Sequence, residues 1–360
     1  MSKIHIALVG GQPAPVYNGI AYINPDKVVL IYSDQTIENA RAISEAIKIP
    51  YEKRKCDPVD FAQIEIKMGE LIEQYKNDEV SVNISSGTKN WAYYFAQYPN
   101  ATIFFVDQNN VVWDFTHKAK SEVKFDPLAQ FKLYGTMPSG LTRFKDFTEA
   151  DKQVLNSIIE LQNFGGNTFM QLVSKMKNRP DLTSYNTTSG SYIKWDKQDK
   201  KMIIQIVKSN GKILKELKSP HVRHFVLNAG WFEYKVAEIL SRWRYTSEIW
   251  LNTKFNYESG APKNEIDIIV NAGMKFLFVE VKTQIEDNTD IDKFSRAVEN
   301  FSGYGSKKLF VTQMAMSEKA IEKCKDNGVI PFSMDHNNLN MNTENALFLL
   351  LDSSLSTIEA

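Results

Sequence analysis

The chain has 360 residues, room for two domains with separate cores and a connector. Its 43 Lys and Arg balance 43 Asp and Glu, so no global field gathers nucleic acid and any such surface must be local. Cys56 and Cys324 have no partner spacing, the start has no signal-peptide shape, and no apolar run reaches about 18 residues. The expectation is a soluble, cytoplasmic protein in a reducing compartment.

Residues 3–9 read as a strand that runs into Gly10-Gly11-Gln12-Pro13-Ala14-Pro15, a loop whose glycines allow a ligand close to the backbone. A second buried strand, 27–32, ends in Ser33-Asp34-Gln35-Thr36 and leads to a helix over 37–47. A helix over 59–74, a strand over 80–84, the loop 85–89, an aromatic helix over 90–97 and a strand over 101–106 follow. Such alternation predicts an α/β, Rossmann-like domain with a mostly parallel sheet, whose ligands bind beyond the carboxyl ends of the strands. Both polar loops sit at such ends. Neither is a standard nucleotide fingerprint: Gly10-Gly11-Gln12 is not GxGxxG, and Ser86-Gly87-Thr88-Lys89 lacks P-loop spacing.

Taken together, the first loop and Asn83-Ile84-Ser85-Ser86-Gly87-Thr88-Lys89 resemble the CARF fold, the sensor domain of CRISPR-associated effectors. In that family a strand-end loop and an Asn-x-Ser/Thr-x-Gly-Thr-Lys-like segment cradle a cyclic oligoadenylate. The resemblance implies a binding set of Gly10, Gly11, Gln12, Ser33, Asn83, Ser85, Ser86, Gly87, Thr88 and Lys89. Backbone amides, hydroxyls and one lysine suit an anionic ring of phosphates.

The middle is less informative. A helical pattern (Val154, Leu155, Ile158, Ile159, Leu161), a Gly165-Gly166-Asn167 break and a second amphipathic stretch through Met170, Leu172 and Met176 precede a loop-like segment, 178–190. Residues 191–195, 202–207 and 213–217 suit a small antiparallel sheet, and helices followed by a β-wing suggest a winged helix. Expected boundaries are 1–140, 141–222 for the connector, and 223–360. His221-x-x-His224 lacks a Cys or His pair to complete a zinc set and reads as exposed helix-start histidines. Arg242-Trp243-Arg244-Tyr245 is either a nucleic-acid-gripping strip or a helix end with interfacial aromatics.

Glu233 shares a helical face with Val236, Ala237 and Leu240, whereas Glu238 falls away from it. A carboxylate on an apolar stripe either reaches solvent at the rim or needs a cation or donor. Residues 265–270 and 276–282 then form a β-hairpin around Asn271-Ala272-Gly273-Met274. Alternation puts Glu265 with Asp267 on one face, and Glu280 with Lys282. A four-residue turn sets Asp267 opposite Glu280, and a two-residue turn makes them diagonal neighbours. Either register brings the carboxylates roughly 5–8 Å apart, within reach of a shared divalent cation, and points to a metal-dependent phosphodiesterase. Glu265 is as well read as a solvated residue as a ligand.

Asp267, then Glu280-x-Lys282 thirteen residues on, resembles the PD-(D/E)xK nuclease family, with Glu233 as the acidic residue of the preceding helix. The resemblance implies Mg²⁺ or Mn²⁺ held by Asp267, Glu280 and the Val281 carbonyl, with Glu233 bound directly or through water. Lys282 would orient water or meet phosphate oxygens; its protonation state is open, since neighbouring carboxylates and desolvation oppose each other. The ordered pair looks like the CRISPR ancillary nuclease family activated by cyclic tetra-adenylate, and the rotational symmetry of such a ring predicts a homodimer that shares it. The implied substrate is DNA, RNA or both, cut in type III antiviral defence. A restriction-like or junction-resolving nuclease without cyclic nucleotide control, and a non-catalytic nucleotide-sensing DNA-binding regulator, are the competing readings.

Overall fold

The computed structural model describes residues 1–107, 110–123, 126–257, 259–272, 275–285, 287–299, 306–335 and 342–356. The hairpin-turn residues Gly273 and Met274 lie outside the described residues. The chain divides into two compact units, one built on Met1–Pro138 and one on most of the chain from Ser139 onward.

The first unit runs β1 (Lys3–Leu8), α1 (Pro13–Ile23), β2 (Lys27–Tyr32), α2 (Ile37–Ala46), β3 (Tyr51–Lys55), α3 (Phe61–Gln74), β4 (Glu79–Asn83), α4 (Lys89–Phe95), β5 (Thr102–Val106), β6 (Val111–Asp114), β7 (Ala119–Glu122) and α5 (Pro127–Leu133). Its sheet order is β3-β2-β1-β4-β5-β6-β7, parallel through β5 and antiparallel beyond. β1 is buried on both faces, as a continuous apolar run demands. Ile4, Ile6 and Leu8 pack with Ile64, Leu71, Trp91 and Phe95 from α3 and α4. Ala7 and Val9 belong to the opposite core, with Val16, Ile20, Ala40, Ile43 and Leu133 from α1, α2 and α5. The order turns about β1 and β4, so a topological switch point opens beyond their carboxyl ends.

His5 lies inside this sheet, fully buried, stacked on Phe104 at 5.3 Å and 2.9 Å from the Ser81 hydroxyl. Burial lowers its pKa from 6.5 to about 3. The unfolded chain therefore takes up this proton first. Stability is intact above pH 6.5 and falls as pH drops toward 3, by up to about 1.4 kcal/mol per unit from this group. Urea midpoints measured from pH 7 to 4 should slope accordingly, and His5→Phe should flatten the slope. Parallel curves for the two proteins would assign the acid sensitivity elsewhere.

The second unit begins with β8 (Pro138–Arg143), α6 (Glu149–Gly165) and α7 (Asn167–Asn178). A four-stranded antiparallel sheet follows, from β9 (Ser184–Asn186), β10 (Tyr192–Asp196), β11 (Lys201–Lys208) and β12 (Gly211–Lys218). Next come α8 (Val222–Leu227), α9 (Gly230–Leu240), β13 (Glu248–Asn256), β14 (Pro262–Asn271), β15 (Phe276–Lys282), α10 (Thr289–Glu299), β16 (Lys307–Thr312), α11 (Glu318–Asp326), β17 (Val329–Ser333) and α12 (Thr343–Ser356). The larger sheet has the order β17-β16-β15-β14-β13-β8, antiparallel from β13 to β15 and parallel from β15 to β17. One hydrophobic core joins α6, α7 and the small sheet to α8, α9 and the hairpin, running from Val154 and Ile158 through Met202 and Phe225 to Ile268 and Val279.

β9 falls inside the segment read as loop, where only three residues pair. The Arg242–Tyr245 strip is a packed corner: Trp243 is buried, Arg242 bonds Glu344 at 2.7 Å and Arg244 bonds Asp352 at 2.9 Å. Its guanidinium groups pair with α12 and Trp243 is packed inside, as the helix-end reading with interfacial aromatics expects. No helix among the described residues is long and apolar enough to cross a membrane.

Candidate functional site

The hairpin takes the register of the four-residue turn. Asn271 pairs with Phe276 and Ile268 with Val279, and continuing that register sets Asp267 opposite Glu280. The ladder gives way there, and the Val281 N–H donates to Asp267 Oδ2 at 2.8 Å instead. Lys282 Nζ lies 2.5 Å from Glu280 Oε1 and 3.9 Å from Asp267 Oδ2. Both carboxylates are mostly enclosed, with side chains 17% and 15% exposed.

Glu233 sits on the buried stripe of α9 beside Val236, Ala237 and Leu240, itself only 8% exposed. The rim reading is excluded. Its partner is His224, whose Nε2 lies 3.0 Å from Glu233 Oε2. Gly230, first residue of α9, permits this: a Cβ there would stand 2.2 Å from the His224 ring. His221 is held equally firmly, with Nδ1 3.1 Å from Asp151 Oδ1. The His221-x-x-His224 motif is therefore no exposed helix start. Both rings are half-buried, each against a carboxylate from another element.

Asn252 was invisible to sequence reasoning. It lies in β13 at the position opposite Asp267, where pairing skips from Leu251↔Ile268 to Thr253↔Ile266, and its φ is 50°. Asn tolerates that left-handed conformation better than most residues. With its carboxamide nitrogen facing the carboxylates, it donates to Glu233 at 3.2 Å and Glu265 at 3.3 Å, while its oxygen accepts from His224 at 3.3 Å. The only sequence signal is the residue type. Glu265 remains exposed, facing Lys254 at 3.9 Å.

These groups line a cleft of about 430 Å³ that includes His221, His224, Glu233, Asn252, Glu265, Asp267 and Lys282. Burial, and then the charges of Glu280 and Glu233, push the Asp267 carboxyl well above its usual range. Burial also raises Glu280, against the pull of Lys282. Burial opposes the charge on Lys282, but Asp267 and Glu280 outweigh it and hold the ammonium above the ordinary lysine range.

The carboxylates of Glu233, Glu265, Asp267 and Glu280 outnumber the ammonium groups of Lys254 and Lys282, which fits a hard divalent cation of the Mg²⁺ or Mn²⁺ type. Among the described residues no three His, Cys, Asp or Glu side chains are already gathered as a ligand set. Lys282 stands between Asp267 and Glu280 in their place.

In the first unit the two strand-end loops touch at the switch point. The Gly10 N–H donates to Ser86 Oγ at 3.0 Å, Ser86 donates to the Gln12 carbonyl at 3.1 Å, and Asn39 donates to the Gly10 carbonyl at 2.8 Å. A Cβ on Gly10 would lie 2.2 Å from the Gly87 nitrogen. Gly11, Gln12, Gly87 and Lys89 are exposed. Asn83 is completely buried: its carboxamide donates to the Pro15 carbonyl at 3.3 Å and accepts from the Ser85 N–H and hydroxyl. Thr88 caps α4 through Trp91 N, and Ser33 closes a capping box with Thr36. The predicted binding residues thus divide into those that face outward and those that brace the loops.

The family described as HFX_2341_N:-like, N-terminal, matches residues 3–109. No curated protein is detectably similar in sequence. Several solved structures share the fold. Can2 from Sulfobacillus thermosulfidooxidans, in complex with cyclic tetra-adenylate, aligns at 17% identity and a TM-score of 0.65, covering 98% of this chain and 99% of that one. Protein VC1899 from Vibrio cholerae aligns at 15% and 0.72, covering 98% of each chain. A type III CRISPR defence DNA nuclease activated by cyclic oligoadenylate aligns at 14% and 0.58, covering 94% of this chain and only 49% of its own. The mixed α/β fold expected from the sequence is therefore shared with Can2 over nearly the whole chain.

Proposed function

We propose that this protein is a metal-dependent endonuclease of type III CRISPR defence, switched on by a cyclic oligoadenylate, with cyclic tetra-adenylate the leading candidate. Residues 1–140 are the sensor, 141–222 the connector and 223–360 the nuclease. The observation that carries the reading is the placement of Asp267, Glu280 and charged Lys282 in one enclosed cluster, with Glu233 on the same cleft. Joined contacts between the Gly10 and Ser86 loops support the sensor assignment.

Asp267, Glu280 and the Val281 carbonyl would hold Mg²⁺ or Mn²⁺, with Glu233 reaching it directly or through water. When bound, such a cation supplies Lewis acidity toward the phosphate and an acidified water. Lys282 presents its ammonium to the charge that develops on the phosphoryl oxygens. His224 and Asn252 hold Glu233 in place.

Nucleic acid as substrate also suits the local charge. Between 167 and 218 eleven Lys and Arg meet four Asp and Glu, within a chain whose net charge is zero. The sheet register puts Lys194, Lys201, Lys212 and Lys218 with Tyr192 on the face turned away from the Met202, Ile204 and Ile206 core. Asp196 and Glu216 share that face and Glu216 pairs with Lys201 at 3.5 Å, which leaves a net positive surface with an aromatic ring, of a kind that suits a polyanion.

The deciding experiment is cleavage of labelled single-stranded and duplex DNA and RNA in Mg²⁺ or Mn²⁺, with and without cyclic tri-, tetra- and hexa-adenylate. Cleavage that needs the ring is expected. Equal cleavage without any ring would favour the restriction-like reading, and none under any condition the non-catalytic regulator.

The activator is expected to be shared by a homodimer. A cyclic tetranucleotide has rotational symmetry, and a two-fold dimer presents identical loops to opposite sides of it. Light scattering should give about twice 41.2 kDa, and titration should saturate at one ring per two chains. A monomer that binds one ring per chain would remove the shared site and leave the catalytic assignment standing.

A further inference from the structure

The cleft holds a second piece of acid–base machinery that the metal-site residues do not use. His221 is the residue before α8, and its ring packs against Phe147 at 4.8 Å and Phe225 at 6.1 Å between centroids. Its Nδ1 faces Asp151 Oδ1 at 3.1 Å. Asp151 is wholly buried, and its other oxygen accepts from the Thr148 N–H at 2.8 Å and the Thr148 hydroxyl at 2.9 Å. Burial pulls the Asp151 carboxyl upward, but the Thr148 and His221 bonds help outweigh it, and the carboxyl lies below the usual range. An ionised carboxylate fixes the proton on Nδ1 and so sets the tautomer.

His221 and His224 then differ in one respect. His224 Nε2 is engaged by Glu233, whereas the hydrogen bond of the His221 ring among the described residues is made by Nδ1. Both rings, with Phe147, line the same cleft as Asp267 and Lys282. An Asp–His pair on the lining of a phosphodiester site, with Nδ1 engaged by the carboxylate, is the arrangement a general acid requires.

We propose that His221 is the general acid of this cleft and Asp151 its positioning residue. The inference rests on the nuclease reading above. As water attacks phosphorus, the bond to the bridging sugar oxygen breaks and its electron pair stays on that oxygen. The Nε2 proton of the His221 imidazolium moves to the oxygen and a neutral alcohol leaves. The neutral imidazole then takes a proton from solvent. Asp151 keeps the ring oriented and stabilises its charged form without itself being protonated.

The test compares wild type with His221→Asn, which keeps an amide near the Nδ1 position for Asp151 and has no atom at Nε2. Substrates are an ordinary oligonucleotide and two others in which sulfur replaces O3′ or O5′ at a link that wild type cuts, all in Mn²⁺ with cyclic tetra-adenylate. A thiolate leaves without a proton. His221→Asn should cut the ordinary link about a hundredfold more slowly than wild type, yet cut the sulfur link within a few-fold of it. His221→Gln should behave alike, with circular dichroism and melting confirming the fold of both. Equal losses on oxygen and sulfur links would reduce His221 to a structural role, and no loss on either would remove it from the reaction. Both results overturn this inference alone. A wild type that cuts none of the substrates brings down the nuclease reading and this inference with it.

Discussion

Asp267→Asn is expected to abolish cleavage and at the same time raise the melting temperature of the metal-free protein. Both effects follow from one arrangement. Glu280 and Glu233 crowd Asp267 beside Lys282, and burial and this repulsion lift the Asp267 carboxyl well above its ordinary range. Each unit of such a shift is about 1.4 kcal/mol of destabilisation once the group is ionised. Asn keeps an oxygen for the Val281 N–H and removes the charge, so a higher melting temperature is expected. The sign with pH is fixed as well. A raised carboxyl pKa means the folded protein holds its proton longer than the unfolded chain, so the Asp267 contribution is lost as pH rises through the carboxyl range and beyond. The advantage of Asp267→Asn should therefore widen with rising pH and level off once Asp267 is fully ionised.

Lys282→Ala provides the contrast. It also should be inactive, but it strips Glu280 of a partner at 2.5 Å and leaves the acidic cluster uncompensated, so it should melt lower than wild type. Mn²⁺ adds a readout independent of cleavage. At a hundred times its dissociation constant it should stabilise wild type by about 2.7 kcal/mol and do so far less in Asp267→Asn. Cleavage should fall at least about a hundredfold in both variants. Full activity in Asp267→Asn, or an equal Mn²⁺ shift in the two proteins, would falsify the metal-site assignment.

The parts of this architecture that follow from short-range pattern were readable in advance, and those that follow from convergence were not. β1, β2 and β4 are continuous apolar runs and could hardly be anything but buried strands. Glu233 was visible because a carboxylate interrupted a helical stripe. The hairpin was limited to two registers, and the Asn271↔Phe276 pairing selected one. α1 escaped because Pro13 and Pro15 read as loop, although proline at the first helical position is compatible with a helix. β3, Tyr-Glu-Lys-Arg-Lys, escaped because an edge strand with one solvated face need not be apolar. The roles of Asp151, His221, His224 and Asn252 come from separations of up to 70 residues that only the fold closes.

Gly10→Ala should weaken ring binding more than loss of the only lysine in the sensor set does. Lys89→Ala removes one charge-assisted contact from an exposed side chain, which typically costs about 1.5–3 kcal/mol, roughly ten- to a hundredfold in affinity. Gly10→Ala acts on the frame that holds both loops. An ideal Cβ there would lie 2.2 Å from the Gly87 nitrogen, 2.6 Å from Ser86 Oγ and 2.8 Å from the Gly87 Cα. Two of those atoms are backbone, so no side-chain rotation relieves the contact. The loops must part, and with them go the Gly10–Ser86 bond and its continuation to the Gln12 carbonyl. Every group offered to the anion by Gly11, Gln12, Gly87 and Lys89 then shifts at once, so a loss beyond about a hundredfold is expected. Calorimetric titration with cyclic tetra-adenylate reads both variants, and melting curves separate them further. Lys89→Ala should melt with wild type, whereas Gly10→Ala should melt lower because its collision is present without any ligand. Wild-type affinity in Gly10→Ala, with the lower melting point observed, would mean that the touching loops do not form the binding site.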